Sequence, residues 1–202
     1  WDTSATDAVR LNGGVISGGT ITNSGVGGIG GEGMVTAQIL NDTFIAADVG
    51  GTLQLTNSTN DWDGPGGVGR LVAFSGSTLE LNDVAPALFT GTVEADKGTV
   101  YANGFELDFD PGSTLELTNF STYRSTHATD IGGMVQVGAG AASRILVPGT
   151  VVFENTSATT LTGDLLLQNT LTRVASGATF AGGGTLVNPA GSSLQLADGA
   201  DI

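Results

Sequence analysis

Apolar and polar residues alternate along this chain in short bursts, each bounded by Gly, Asn or Asp. The clearest burst is Gly112-Ser113-Thr114-Leu115-Glu116-Leu117-Thr118-Asn119. It recurs as Gly50-Gly51-Thr52-Leu53-Gln54-Leu55-Thr56-Asn57, as Gly76-Ser77-Thr78-Leu79-Glu80-Leu81-Asn82-Asp83, and as Gly191-Ser192-Ser193-Leu194-Gln195-Leu196-Ala197-Asp198. Leu-polar-Leu has the two-residue period of a strand with one face buried, and the flanking Gly and Asn or Asp form turns. The repeated unit is therefore a short strand followed by a corner. Looser copies, in which Gly is followed by Thr and an apolar residue, fill the gaps: Gly19-Thr20-Ile21, Gly91-Thr92-Val93, Gly98-Thr99-Val100, Gly149-Thr150-Val151 and Gly184-Thr185-Leu186.

These units fall on a beat of about seven residues. Leu79, Val93, Val100 and Leu107 keep it, with Leu115 one residue late; Leu165, Thr172, Thr179, Leu186 and then Leu194 behave the same way. Such a beat also suits a coiled coil, but these segments carry Gly and β-branched residues where a helix needs Ala, Leu, Glu and Lys. The beat instead predicts strands of ~4 to 5 residues joined by two- or three-residue corners, three to a coil, or ~21 residues per turn of a solenoid. Leu79 to Val100 and Leu165 to Leu186 each span one such turn. About nine coils at the ~4.8 Å strand spacing predict a rod roughly 45 Å long. The fold class expected is all-β, a single-stranded parallel β-helix with little or no α-helix, in one domain spanning 1–202.

Composition supports this reading and narrows the partners. Of 202 residues 33 are Gly, and the apolar fraction of 40% is too high for a disordered chain, so the Gly content marks tight turns. Twenty acidic residues against six basic ones give a net charge of −14. That disfavours nucleic acid and anionic membrane, which need basic patches, and is compatible with cations or a salty exterior. With no Cys there are no disulfides, no thiol catalysis and no Cys-ligated zinc. No apolar run reaches the ~18 residues of a membrane helix. A start at Trp1 without a leader is expected of a mature chain or of an excerpt from a longer secreted repeat protein.

The beat weakens in three stretches, near 24–34, 57–70 and 120–133, which are expected to be loop insertions. The second contains Asp61-Trp62-Asp63-Gly64-Pro65-Gly66-Gly67. The third contains Tyr123, Arg124 and His127. Asp61 with Asp63, and Asp108 with Asp110, are the candidate calcium ligands; calcium is the one cofactor considered. An EF-hand starting at Thr59 fails, because its twelfth position is Arg70 rather than Glu. Phe105-Glu106-Leu107-Asp108-Phe109-Asp110 should turn two Phe and a Leu inward and three carboxylates outward, ~6.5 Å apart. Two carboxylates at that separation could act on a glycosidic bond, but a wet acidic strand is the plainer reading. His127 near Ser125 and Asp130 does not make a triad, which is assembled from distant segments. Trp62, Tyr123, Arg124 and His127 are the candidate partner contacts, with Trp62 reading equally as a plug of its loop, and no catalytic residue is assigned.

The repeated units, with Gly182-Gly183-Gly184-Thr185-Leu186-Val187-Asn188-Pro189-Ala190-Gly191-Ser192-Ser193-Leu194-Gln195-Leu196, resemble the β-helical repeat regions of bacterial autotransporter passengers and related surface or secreted proteins. The resemblance implies a right-handed coil, export to the cell surface or beyond, and a non-enzymatic role as stalk, adhesin or surface-layer material. Expected partners are further copies of the chain, end to end or laterally, or a host or cell-surface protein or glycan. Nucleic acid and membrane insertion are not expected. Two other classes fit the same fold: a β-helical polysaccharide lyase or hydrolase, disfavoured by having Lys97 as the one Lys, and an ice- or mineral-binding solenoid using Thr rows such as Thr20-Ile21-Thr22 or Thr170-Leu171-Thr172.

Overall fold

The computed structural model describes residues 9–24, 27–48, 50–57, 59–64, 67–83, 87–140 and 142–200. They form an all-β solenoid of nine stacked layers, about eight turns from first to last, with about three strands per coil and without helix. The first coil is β1 (Val9–Ile16) and β2 (Thr20–Asn23), and the second is β3 (Gly28–Val35) and β4 (Gln38–Asn41). The third has β5 (Phe44–Ala47) and β6 (Thr52–Leu55). From the fourth onward each coil has three strands: β7 (Arg70–Phe74), β8 (Thr78–Asn82) and β9 (Ala87–Phe89); then β10 (Thr92–Asp96), β11 (Thr99–Asn103) and β12 (Leu107–Phe109). The same order continues through β13 (Thr114–Thr118), β14 (Thr122–Ser125) and β15 (Thr129–Ile131), and through β16 (Met134–Val137), β17 (Ser143–Leu146) and β18 (Thr150–Phe153). It ends with β19 (Ala158–Leu161), β20 (Leu165–Gln168) and β21 (Leu171–Val174), then β22 (Thr179–Gly182), β23 (Leu186–Val187) and β24 (Ser193–Leu196).

Every strand ladder is parallel and joins one coil to the next. Three faces result. The first runs from β5 to β22 and the second from β6 to β23, both starting at β3, while the third runs from β9 to β24, with β2 and β4 paired separately near the N-terminus. The seven-residue beat is the step from face to face: Val93, Val100 and Leu107 lie inward on β10, β11 and β12, and Leu115 lies inward on the next coil. Leu79 pairs with Val100 and Leu165 pairs with Leu186, one turn apart. In the last coils the beat is one residue off at Thr179, which is exposed while Phe180 packs against the core.

The four good copies of the motif occupy all three faces. Those at Leu53 and Leu79 stack directly on the second face, that at Leu115 is on the first, and that at Leu194 is on the third. The motif therefore encodes a strand and its corner rather than a place in the coil. Leu53, Leu55, Leu79, Leu81, Leu115 and Leu117 are fully buried, and each such side chain contributes roughly 1.5–3 kcal/mol when removed from water. The corner before β13 shows why Pro-Gly-Ser precedes the strand. The Ser113 N–H donates to the Asp110 carbonyl at 3.0 Å, closing a turn with Pro111 second and Gly112 third at φ +104°. Pro presets the second position of such a turn, and only Gly takes the third without strain.

Two of the expected loops are strands. Gly28–Val35 takes up most of the 24–34 stretch and forms β3, whose first half pairs with β5 and second half with β6. Its glycines allow one strand to bend across two faces against β1; a Cβ on Gly31, at φ +104°, would overlap the Leu11 carbonyl oxygen. The 120–133 stretch holds β14 and β15. Its strands escape an apolar pattern because Ser121, Ser125 and Thr129 take inward positions and are buried, the Ser121 hydroxyl lying 3.3 Å from that of Ser143. Between β6 and β7 the described residues carry no strand, only a bridge of Asp61 to Leu40.

Candidate functional site

The described residues between β6 and β7, which include Asp61 and Asp63, fill the third face of their coil with turns. Asn57 accepts from the Thr59 N–H at 2.9 Å, and Asn60 accepts from the Ile39 N–H at 2.7 Å. Asp61 accepts from the Gly64 N–H at 2.9 Å, and Asp63 accepts from the Thr90 N–H and hydroxyl, both at 2.6 Å. Burial pushes the Asp61 carboxyl up despite the Gly64 N–H, and the neighbouring Asp63 adds to the shift. Trp62 points inward, 3% exposed, and stacks on Phe105 with ring centroids 6.4 Å apart. It plugs the core where the strand is missing, so its ring is not offered to a partner.

Tyr123 is also internal. It is fully buried on β14, makes an edge contact with Phe109 at 5.4 Å, and donates its hydroxyl to the Leu107 carbonyl at 3.4 Å. Burial pushes its hydroxyl pKa far up. A Tyr in a polar stretch reads as a surface ring, but the strand period places it opposite Arg124. Arg124 and His127 are exposed, as a partner contact requires. The His127 ring nitrogen Nδ1 lies 3.0 Å from the Thr126 hydroxyl.

On the third face Phe105, Leu107 and Phe109 are buried while Glu106, Asp108 and Asp110 face outward. Asp108 accepts from the Asp130 N–H at 3.0 Å. Burial, joined by the charges of Glu106, Asp130 and Glu154, pushes the Asp108 carboxyl up to about 6 against that hydrogen bond. Burial also raises Asp130. Among the described residues no group of three or more His, Cys, Asp or Glu side chains is placed to hold a metal ion.

Sequence reasoning missed the second face. Thr52, Thr78, Thr99 and Thr122 form a file across four successive strands, which ends where Thr122 pairs with Arg144. By contrast Thr172 points inward and is fully buried, so Thr170-Leu171-Thr172 is not an outward row. Beside the Thr file runs a connected polar line. The Gln54 amide donates to Glu80 at 2.9 Å, and Glu80 also accepts from Asn103 at 2.8 Å and Asn82 at 3.2 Å. The Asn103 amide donates to the Asn82 side-chain oxygen at 3.0 Å, and the Tyr101 hydroxyl donates to the Asn103 oxygen at 3.1 Å. The Arg124 guanidinium then lies 4.3 Å above the Tyr101 ring. Burial would raise Glu80, but its three amide donors and the Arg124 charge outweigh it and hold the carboxyl below its usual value. The available signal was the spacing itself: these residues lie one coil apart in sequence.

Past Arg124 the same face opens into a groove of about 260 Å³ lined by Arg124, Ser125, Thr126, Leu146, Val147, Pro148 and Gln168. No family model, curated protein or solved structure matches the chain. The fold defines the class: a three-faced parallel β-solenoid repeat protein.

Proposed function

We propose that this chain is an extracellular structural or adhesive β-solenoid module of a bacterial surface or secreted protein, of the kind found in autotransporter passengers. It acts as a rigid rod that is extended by stacking on further copies. The observation that carries this reading is the stack itself: parallel ladders run from coil to coil on three faces, and Leu, Val, Ile and Phe of successive coils form one continuous core. Sedimentation of the 202-residue chain should show association that grows with concentration. A wild-type chain that stays monomeric at millimolar concentration refutes the self-assembling part.

A second reading, a polysaccharide hydrolase, draws support from Asp108 and Asp130. They lie on paired strands of the third face, and both carboxyls are shifted upward. Two shifted carboxyls on neighbouring strands are a general-acid arrangement in outline. Release of reducing ends from neutral or acidic polysaccharide, lost in Asp108→Asn, would favour it over the structural reading.

A further inference from the structure

We infer that the second face carries a binding site for a carboxylated oligosaccharide, centred on Arg124 and the groove beyond it. This rests on the adhesive reading above and names its partner. The outward positions of β14, β17 and β20 are Thr122, Arg124, Arg144, Leu146, Leu166 and Gln168, with no carboxylate among them. In a chain with only six basic residues and a net charge of −14, two of the six lie on neighbouring strands of one face, staggered by two residues in register. The ion pairs among the described residues are Arg10 with Asp48 and Arg70 with Glu94; Arg124 and Arg144 are in neither, although Arg124 lies near enough to Glu80 to hold its carboxyl down.

Arg124 is also held in place. A freely moving Arg loses rotamer entropy when it binds, and fixing it beforehand lowers that cost. Here the line from Gln54 through Glu80 and Asn103 to Tyr101 fixes the ring on which the guanidinium lies. The guanidinium matches a carboxylate with two parallel hydrogen bonds. Leu146 and Pro148 offer an apolar floor for the C–H face of a sugar ring, and the Gln168 side-chain amide lines the same groove as a hydrogen-bonding group. The volume of about 260 Å³ lies below the ~300–1,000 Å³ of whole-ligand pockets, so the groove seats one ring of a longer chain.

An acidic peptide is the less suitable occupant. The backbone mode of peptide recognition, adding a strand to a free edge, is closed here, because β14, β17 and β20 are each paired on both sides. What remains for recognition is side-chain chemistry on a flat face, which suits a polymer bearing a carboxylate on each ring.

The test is calorimetric titration of the 202-residue chain at about 0.15 M salt, which screens the repulsion from the chain's overall negative charge, with a six-residue galacturonate oligomer, a neutral glucose hexamer and hexaglutamate. The galacturonate oligomer should bind at least tenfold tighter than either control. Arg124→Ala should weaken it tenfold or more, and Arg144→Ala and Tyr101→Leu several-fold, with circular dichroism unchanged. Three results would each overturn the site: no binding of the acidic sugar, equal binding of hexaglutamate, or an Arg124→Ala variant that binds like the wild type. Sedimentation of the same samples separates the two ideas. Concentration-dependent association without sugar binding sinks the site and leaves the stacking module standing.

Discussion

Asp108→Asn removes a charge that the folded chain disfavours. Burial pushes the Asp108 carboxyl from its ordinary 3.8 to about 6, with Glu106, Asp130 and Glu154 adding to the shift. A rise of about two pH units corresponds to roughly 3 kcal/mol, and solvent screening at this half-buried position reduces that to about 1–2 kcal/mol. The sign follows from proton binding. Between the unfolded and folded pKa values the folded state holds more protons, so stability falls as pH rises from about 4 to about 6 and then levels off. Asn keeps an oxygen for the Asp130 N–H, which Asp108 accepts at 3.0 Å, and has no proton to lose. Urea unfolding followed by circular dichroism should therefore find the variant more stable than wild type at pH 7.5, by about 1–2 kcal/mol. The two proteins should converge at pH 4. A variant no more stable at pH 7.5, or a gap that persists unchanged at pH 4, would refute the reasoning.

Asn41 is fully buried, accepts from the Asn23 amide at 2.6 Å and donates to the Trp62 carbonyl at 2.8 Å. Asn41→Ala leaves the Trp62 carbonyl without that donor in a dry corner and should cost about 2–4 kcal/mol; a loss under about 0.5 kcal/mol would show that the Asn ladder does not support the first coils. Phe120 sits at φ +65° and is 72% exposed, a left-handed backbone that costs a bulky residue about 1–3 kcal/mol. Asn accepts that conformation readily, so Phe120→Asn should raise the melting temperature. A fall would mean that the ring makes a stabilising contact.

Much of the architecture was legible because it depends on two short-range signals. Strand period puts Leu53, Leu79, Leu115 and their partners inside, and corner residues such as Pro111-Gly112 set where each strand begins. What escaped was set by stacking between coils. Ser121, Ser125 and Thr129 fill inward positions that the hydrophobic pattern assigns to Leu or Val, which hid β14 and β15. Tyr123 looked like a surface ring because its neighbours in sequence are polar, whereas its neighbour in space is Phe109; Trp62 read equally as a contact or a loop plug, and its stacking on Phe105 makes it the plug. The candidate site on the second face was hidden for a related reason. Glu80, Tyr101 and Arg124 come from three different coils, and only the register of β8, β11 and β14 aligns them.

That one strand-and-corner module serves on any side of the coil has a consequence for how such a chain can change its length. Duplicating or deleting a whole turn leaves every remaining side chain facing the way it did, and merely makes the rod taller or shorter. Adding a single residue within a strand does the opposite, turning what was hidden outward for the rest of that strand. Size variants of this protein should accordingly differ by complete windings, with odd-sized insertions confined to the bends.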